Sequence, residues 1–125
     1  MPNKKILLVD DEIDFVEVVS TRLEANGFEV LPAYDGEEAL EKVKETKPDL
    51  IILDIMMPKI NGFDVCRKLK LDPNYKDIPV IMLTAKFQAS DMKFGAAMGA
   101  DAYITKPFEP GVLLEKIHEL LKKDK

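Results

Sequence analysis

Short apolar runs recur along the chain, with longer amphipathic stretches between them. The runs are Ile6-Leu7-Leu8-Val9, Phe28-Glu29-Val30-Leu31, Leu50-Ile51-Ile52-Leu53, Val80-Ile81-Met82-Leu83 and Ala102-Tyr103-Ile104. Three are unbroken apolar quartets, the pattern of strands covered on both faces. The stretches between them have helical spacing: Val16, Val19 and Leu23 fall at i, i+3, i+7, and Leu113, Ile117, Leu120 and Leu121 at i, i+4, i+7, i+8. Punctuation supports the boundaries. Gly27 sits where a helix needs a residue free to turn left-handed, Asp35-Gly36-Glu37-Glu38 resembles a capping box, Asn61 can cap a third helix, and Pro110 suits a first turn. The rhythm predicts (βα)5. Strands alternating with helices imply a parallel sheet with right-handed crossovers, and five units fit an open doubly wound α/β sheet, since a closed barrel of this type needs eight.

Composition narrows the classes. At 125 residues the chain is one domain by size, and no linker, tandem repeat or low-complexity stretch divides 1–125. With 46% hydrophobic and 33% charged residues it is neither disordered nor fibrous. Lys and Arg number 18 against 23 Asp and Glu, a net charge of −5, which argues against a dedicated nucleic-acid partner. The single cysteine, Cys66, forbids an internal disulfide, and the single histidine, His118, excludes a His-rich metal site. Only Ile6 to Val9 follow the basic start as an apolar run, short of the roughly 7–15 residues of a signal peptide or the about 20 of a membrane span. The expectation is a soluble, cytoplasmic protein with no membrane partner.

In an open α/β sheet, chemistry gathers at the carboxyl ends of the strands. Here the first run ends in Asp10-Asp11-Glu12, the third in Asp54, the fourth in Thr84 and the fifth in Thr105-Lys106-Pro107. With the strands in the order 2-1-3-4-5, these four ends are contiguous and share one crevice. Clustered carboxylates repel one another, and a hard divalent cation relieves the conflict; Mg²⁺ is the natural candidate. The acidic triplet alone fits a solvated helix N-terminus equally well. Asp54 shifts the balance, because it ends a buried strand in the middle of the sheet. Lys106 can reach the same place as counter-ion or phosphate ligand.

Val9-Asp10-Asp11-Glu12, Asp54-Ile55-Met56-Met57-Pro58-Lys59-Ile60-Asn61-Gly62, Leu83-Thr84-Ala85 and Lys106-Pro107-Phe108 together resemble the receiver domain of two-component response regulators, in its chemotaxis-type single-domain form. The resemblance covers essentially the whole chain, in order. It implies a flavodoxin-like fold with sheet order 2-1-3-4-5. It implies Asp54 as phospho-acceptor, with Asp11, Asp54 and the Met56 backbone carbonyl binding Mg²⁺ (Mn²⁺ as an alternative) and Asp10 acting largely through water. Thr84 corresponds to the hydroxyl that bonds the phosphoryl group, Lys106 to the lysine that pairs with it, and Tyr103 to the switch aromatic. The Lys106-Pro107 bond corresponds to the family's cis peptide. Met56 and Lys86 stand at positions the family varies to tune phosphoryl lifetime.

The implied function is a signalling switch rather than a turnover enzyme, one that catalyses its own phosphoryl transfer and slow autodephosphorylation. Its partners would be a sensor histidine kinase or phosphotransfer protein and a downstream target, or a phosphorylation-dependent homodimer. The implied contact surface comprises the helix after Thr84, the fifth strand and the last helix. With no further domain after Lys125, output would run through a partner unless the chain is a piece of a longer regulator. A phosphohydrolase with an aspartyl nucleophile would carry a second Asp where Met56 stands. A flavin site would need a Ser/Thr/Gly loop in place of Asp10-Asp11. The remaining features read plainly: His118 faces solvent, Cys66 is a small core residue, and Met57, Met82, Met92 and Met98 fill gaps. Asp49 and Asp101 precede strands and belong to the opposite edge of the sheet.

Overall fold

Alternation along β1 (Lys5–Val9) decides which helices the sheet buries against. Ile6 and Leu8 face one side with Leu50, Ile52, Ile81, Leu83 and Ile104, while Leu7 and Val9 face the other with Ile51, Leu53, Val80 and Met82. Successive strand residues point to opposite faces, so an unbroken apolar quartet feeds two cores at once. Helices α1 (Ile13–Ala25) and α4 (Pro110–Lys122) cover the first face through Val16, Val19, Leu23, Leu113, Ile117 and Leu120. Helices α2 (Gly36–Thr46) and α3 (Gly62–Leu71) cover the second through Ala39, Val43, Val65, Cys66 and Leu69. The remaining strands are β2 (Glu29–Ala33), β3 (Leu50–Asp54), β4 (Val80–Thr84) and β5 (Ala102–Thr105).

All pairings are parallel and the order is β2-β1-β3-β4-β5, as expected. The structure is a computed structural model describing residues 3–57, 60–84, 99–106 and 108–122. The expected helix after Thr84, with Lys86, Met92 and Met98, lies outside the described residues, as do Pro58, Lys59, Ala85 and Pro107, and with Pro107 the Lys106-Pro107 peptide. Four helices are therefore described where the pattern predicts five.

The local signals act as read, with one variation. Gly27 has φ 92° just past Asn26, the residue that caps the end of α1, and Pro110 opens α4. Asn61 Oδ1 accepts from the Asp64 N–H at 2.9 Å. Asp35 Oδ1 accepts from the Glu38 N–H at 2.8 Å, but the Glu38 carboxylate accepts from the Tyr34 N–H at 2.7 Å, one residue before the cap. The box is thus shifted outward by one residue, and it fixes the chain as it leaves β2. Strand β2 itself runs to Ala33, past the apolar run that predicted it, because Val9 still pairs with Ala33. Cys66 is fully buried, and burial pushes its thiol up to about 11, so it is inert core. His118 is exposed, with its ring against Phe28. Met57 and Met82 pack in the second core.

Candidate functional site: an acidic pocket at the carboxyl end of the sheet

Among the described residues the buried polar or charged side chains are Asp10 and Asp54, and both stand at the carboxyl end of the sheet. Asp10 is drawn in because the ladder continues past β1: its N–H donates to the Ala33 carbonyl at 3.1 Å. Asp54 is the last residue of the central strand, and the next N–H, of Ile55, donates to Leu83 at 3.0 Å. The chain then doubles back, with the Gly62 N–H donating to the Ile55 carbonyl at 3.0 Å. A Cβ at Gly62 would overlap the Asp54 carbonyl and come within 3.0 Å of the Ile55 Cα, so only glycine lets α3 start against this strand end. Gly36 has the same role at the start of α2, where a Cβ would meet the Ile60 Cβ at 2.8 Å.

Three carboxylates converge. One oxygen each of Asp10, Asp11 and Asp54 lies within 4.8 Å of the others; Asp10 and Asp54 are buried and Asp11 is exposed. Asp10 is held at both oxygens, Oδ1 accepting from the Glu12 N–H at 2.9 Å and Oδ2 from the Lys106 ammonium at 2.6 Å. Lys106 lies 3.3 Å from Glu12 Oε1 and 3.8 Å from Asp54 Oδ1. One ammonium therefore serves several carboxylates, and it is nearest to Asp10.

Electrostatics follows from that imbalance. Burial raises the Asp54 pKa to about 6, and the Asp10 charge adds to the shift; Lys106 opposes it, and the Met56 backbone N–H also stabilises the anion. Burial likewise raises Asp10, with Lys106 and the Glu12 N–H pulling the other way. For Lys106, burial works against the charge, but Asp10, Asp54 and Glu12 outweigh it and the pKa rises. A set of hard oxygen donors with unbalanced negative charge is the chemistry that a small divalent cation fits.

The other predicted residues fall around this pocket. Met56 follows in the loop after β3 and is 75% exposed. Thr84 ends β4 opposite Thr105 of β5. Tyr103 lies opposite Met82 and packs, half-buried, against the second core. Asp49 and Asp101 sit at the other end of the sheet, accepting from the Lys5 N–H at 2.7 Å and the Val80 N–H at 2.8 Å. Sequence reasoning missed Phe15, whose ring centroid is 4.3 Å from the Lys106 Nζ. Its position on the helix after the acidic triplet, one turn from Glu12, was the available signal.

Residues 6–118 match the family model of the response regulator receiver domain. Over 121 residues the chain is 45% identical to the alkaline phosphatase synthesis transcriptional regulatory protein PhoP of Bacillus subtilis, covering 97% of this chain and 50% of that protein. It spans about half the length of the curated relatives it matches. Among solved structures, the chemotaxis response regulator CheY4 of Vibrio cholerae superposes with a TM-score of 0.89 at 36% identity, covering 94% of this chain and 98% of that one. The signal receiver domain of a signal transduction histidine kinase from Syntrophus aciditrophicus gives 0.90 at 37%, covering 96% and 91%.

The chain belongs to the response regulator receiver family. That membership makes it a module of two-component, phosphorylation-dependent signalling, a setting that involves a histidine kinase and a downstream effector. Among the described residues no helix is long and apolar enough to cross a membrane.

Proposed function

We propose that residues 1–125 form one receiver unit in which Asp54 accepts a phosphoryl group from a phosphohistidine on a sensor histidine kinase or phosphotransfer protein. The observation that carries this reading is the buried Asp54 carboxylate at the end of the central strand, with Asp10 and Asp11 gathered around it and one lysine at the same mouth. An Asp54 oxygen attacks phosphorus, the new O–P bond forms as the P–N bond breaks, and the imidazole nitrogen keeps the bonding pair. The ring takes a proton from water and leaves neutral. An aspartyl phosphate is an accessible covalent intermediate when its charge is neutralised.

Asp10, Asp11, Asp54 and the Met56 backbone carbonyl would hold Mg²⁺ or Mn²⁺, which supplies charge neutralisation at the phosphoryl oxygens. Lys106 then exchanges part of its contact with Asp10 for a phosphoryl oxygen. By the family resemblance, the Thr84 hydroxyl would bond another of these oxygens. Output runs from the end of β4 through the Tyr103 ring to the face of β5 and α4, which would bind a target protein or a second copy. Phosphorylation biases a pre-existing two-state element, and the typical coupling is about 1–3 kcal/mol. The net charge of −5 suits protein partners better than direct nucleic-acid contact.

Incubation with Mg²⁺ and acetyl phosphate, followed by intact-mass measurement, tests the acceptor. The wild type gains the mass of one phosphoryl group and Asp54→Asn gains none. An undiminished gain in the variant would remove Asp54 from the role.

A further inference from the structure

The contacts of Lys106 pull in two directions. Asp10 and Asp54, at 2.6 and 3.8 Å, draw its ammonium into the sheet end, while Glu12, at 3.3 Å with its side chain 66% exposed, draws it toward solvent. A lysine stem is flexible enough to follow either. What occupies the remaining side is an aromatic face: the Phe15 ring lies with its centroid 4.3 Å from the Nζ. Phe108 meets that ring edge-on, with centroids 6.1 Å apart and planes at 88°. Phe15 and Phe108 also pack, half-buried, against the α1/α4 core. The loop that delivers Lys106 thus delivers the buttress for its aromatic support two residues later. Glu12 and Phe15 are one helical turn apart, so α1 presents the outward acceptor and the aromatic face to the same lysine.

From this we infer that Phe15 is a positioning residue for phosphoryl transfer: its ring, braced by Phe108, keeps the Lys106 ammonium on the Asp54 side of the pocket against the pull of Glu12. This rests on the reading of Asp54 as phospho-acceptor. Attraction of the ammonium to the ring quadrupole supplies the hold. Without the face, Nζ relaxes toward Glu12 and must be recovered before an incoming phosphoryl oxygen can be neutralised. The cation-binding carboxylates are untouched by the change.

The test uses the full chain with Mg²⁺ and acetyl phosphate, alongside NMR of the Lys106 ε-methylene, assigned with Lys106→Arg. Phe15→Leu, which keeps apolar bulk and removes the π face, is expected to slow phosphorylation about five- to tenfold. Its Mg²⁺ affinity stays that of the wild type. Phe15→Tyr, which restores the face, recovers most of the rate, and Phe15→Leu combined with Glu12→Gln recovers it by removing the competing charge. Glu12→Gln alone speeds transfer relative to Asp14→Asn, a control for lost charge in the same helical turn. The Lys106 ε-methylene signal is shifted upfield by the ring in wild type and Phe15→Tyr but not in Phe15→Leu. If Phe15→Leu transfers at the wild-type rate, or Phe15→Tyr is as slow as Phe15→Leu, or removing Glu12 rescues nothing, the positioning role is wrong and the function of Asp54 stands. If Phe15→Leu does not fold, the single Glu12→Gln comparison and the wild-type ε-methylene shift decide. A wild type that shows the ring shift but takes up no phosphoryl group overturns the phospho-acceptor reading, and the positioning role with it.

Discussion

At the amino end of the sheet, Asp49 accepts from the Lys5 N–H and Asp101 from the Val80 N–H. Lys70 bridges Asp101 at 3.0 Å and the carbonyls of Lys76 and Ile78 at 3.1 and 2.7 Å. Each carboxylate there answers a backbone donor, and the lysine has an acceptor for each of its three protons. At the carboxyl end, the same residue types are assembled differently. Asp10 and Asp54 are buried, Asp11 and Glu12 crowd them, and Lys106 is shared among three carboxylates. One end is a set of clamps whose removal loosens the fold. The other is a charge conflict whose removal relaxes it. Acidic residues at strand ends thus carry opposite signs of stability, and the sign is set by what each carboxylate faces rather than by residue type.

The largest expected effect is at the conflicted end. In metal-free buffer at neutral pH, Asp54→Asn is more stable than wild type by about 2 kcal/mol. The ceiling is roughly 3 kcal/mol, from a pKa raised from 3.8 to about 6, and the amide's own burial takes part of it. Because the folded-state pKa is raised, the protonated form favours folding. Wild-type stability from this group is complete below about 4 and is lost as pH rises through about 6. Urea unfolding across that range should show the two proteins converging in acid and separating toward neutrality. A gap that does not depend on pH would mean that Asp54 carries no such conflict.

At the clamped end the sign reverses. Asp101→Ala orphans the Val80 N–H and one of three Lys70 contacts, and it should cost about 1–2 kcal/mol in the same assay. Asp49→Ala, which removes only the acceptor for Lys5, should cost about 1 kcal/mol or less. If either variant is stabilised, the contrast between the ends fails.

The sequence announced this contrast only in part. The quartets of β1, β3 and β4 are legible because strands buried on both faces cannot alternate, and Asp49 and Asp101 are assigned to the far edge simply by preceding their strands. Which of Asp10 and Asp11 is buried is not legible. It depends on the β1–β2 ladder continuing to Ala33, a long-range pairing with no local signature. The same holds for Phe15, whose spacing on α1 marks a core-facing position but says nothing about a lysine more than ninety residues later. Gly62 stands in the motif that identifies the family, yet its reason, the close approach to the Asp54 carbonyl, is visible only once α3 is set against β3. The family resemblance supplied the roles; the packing supplies the reasons.

The central claim is that the carboxyl end of the sheet is a phosphoryl-transfer site held in charge conflict until a divalent cation binds. Thermal unfolding of wild type and Asp11→Ala, with and without Mg²⁺, tests it most directly. The account predicts that Asp11→Ala melts higher than wild type without the cation. It also predicts that Mg²⁺ raises the wild type by several degrees, as a ligand that binds only the folded state must, and raises the variant little. A wild type whose melting temperature is indifferent to Mg²⁺ would contradict it.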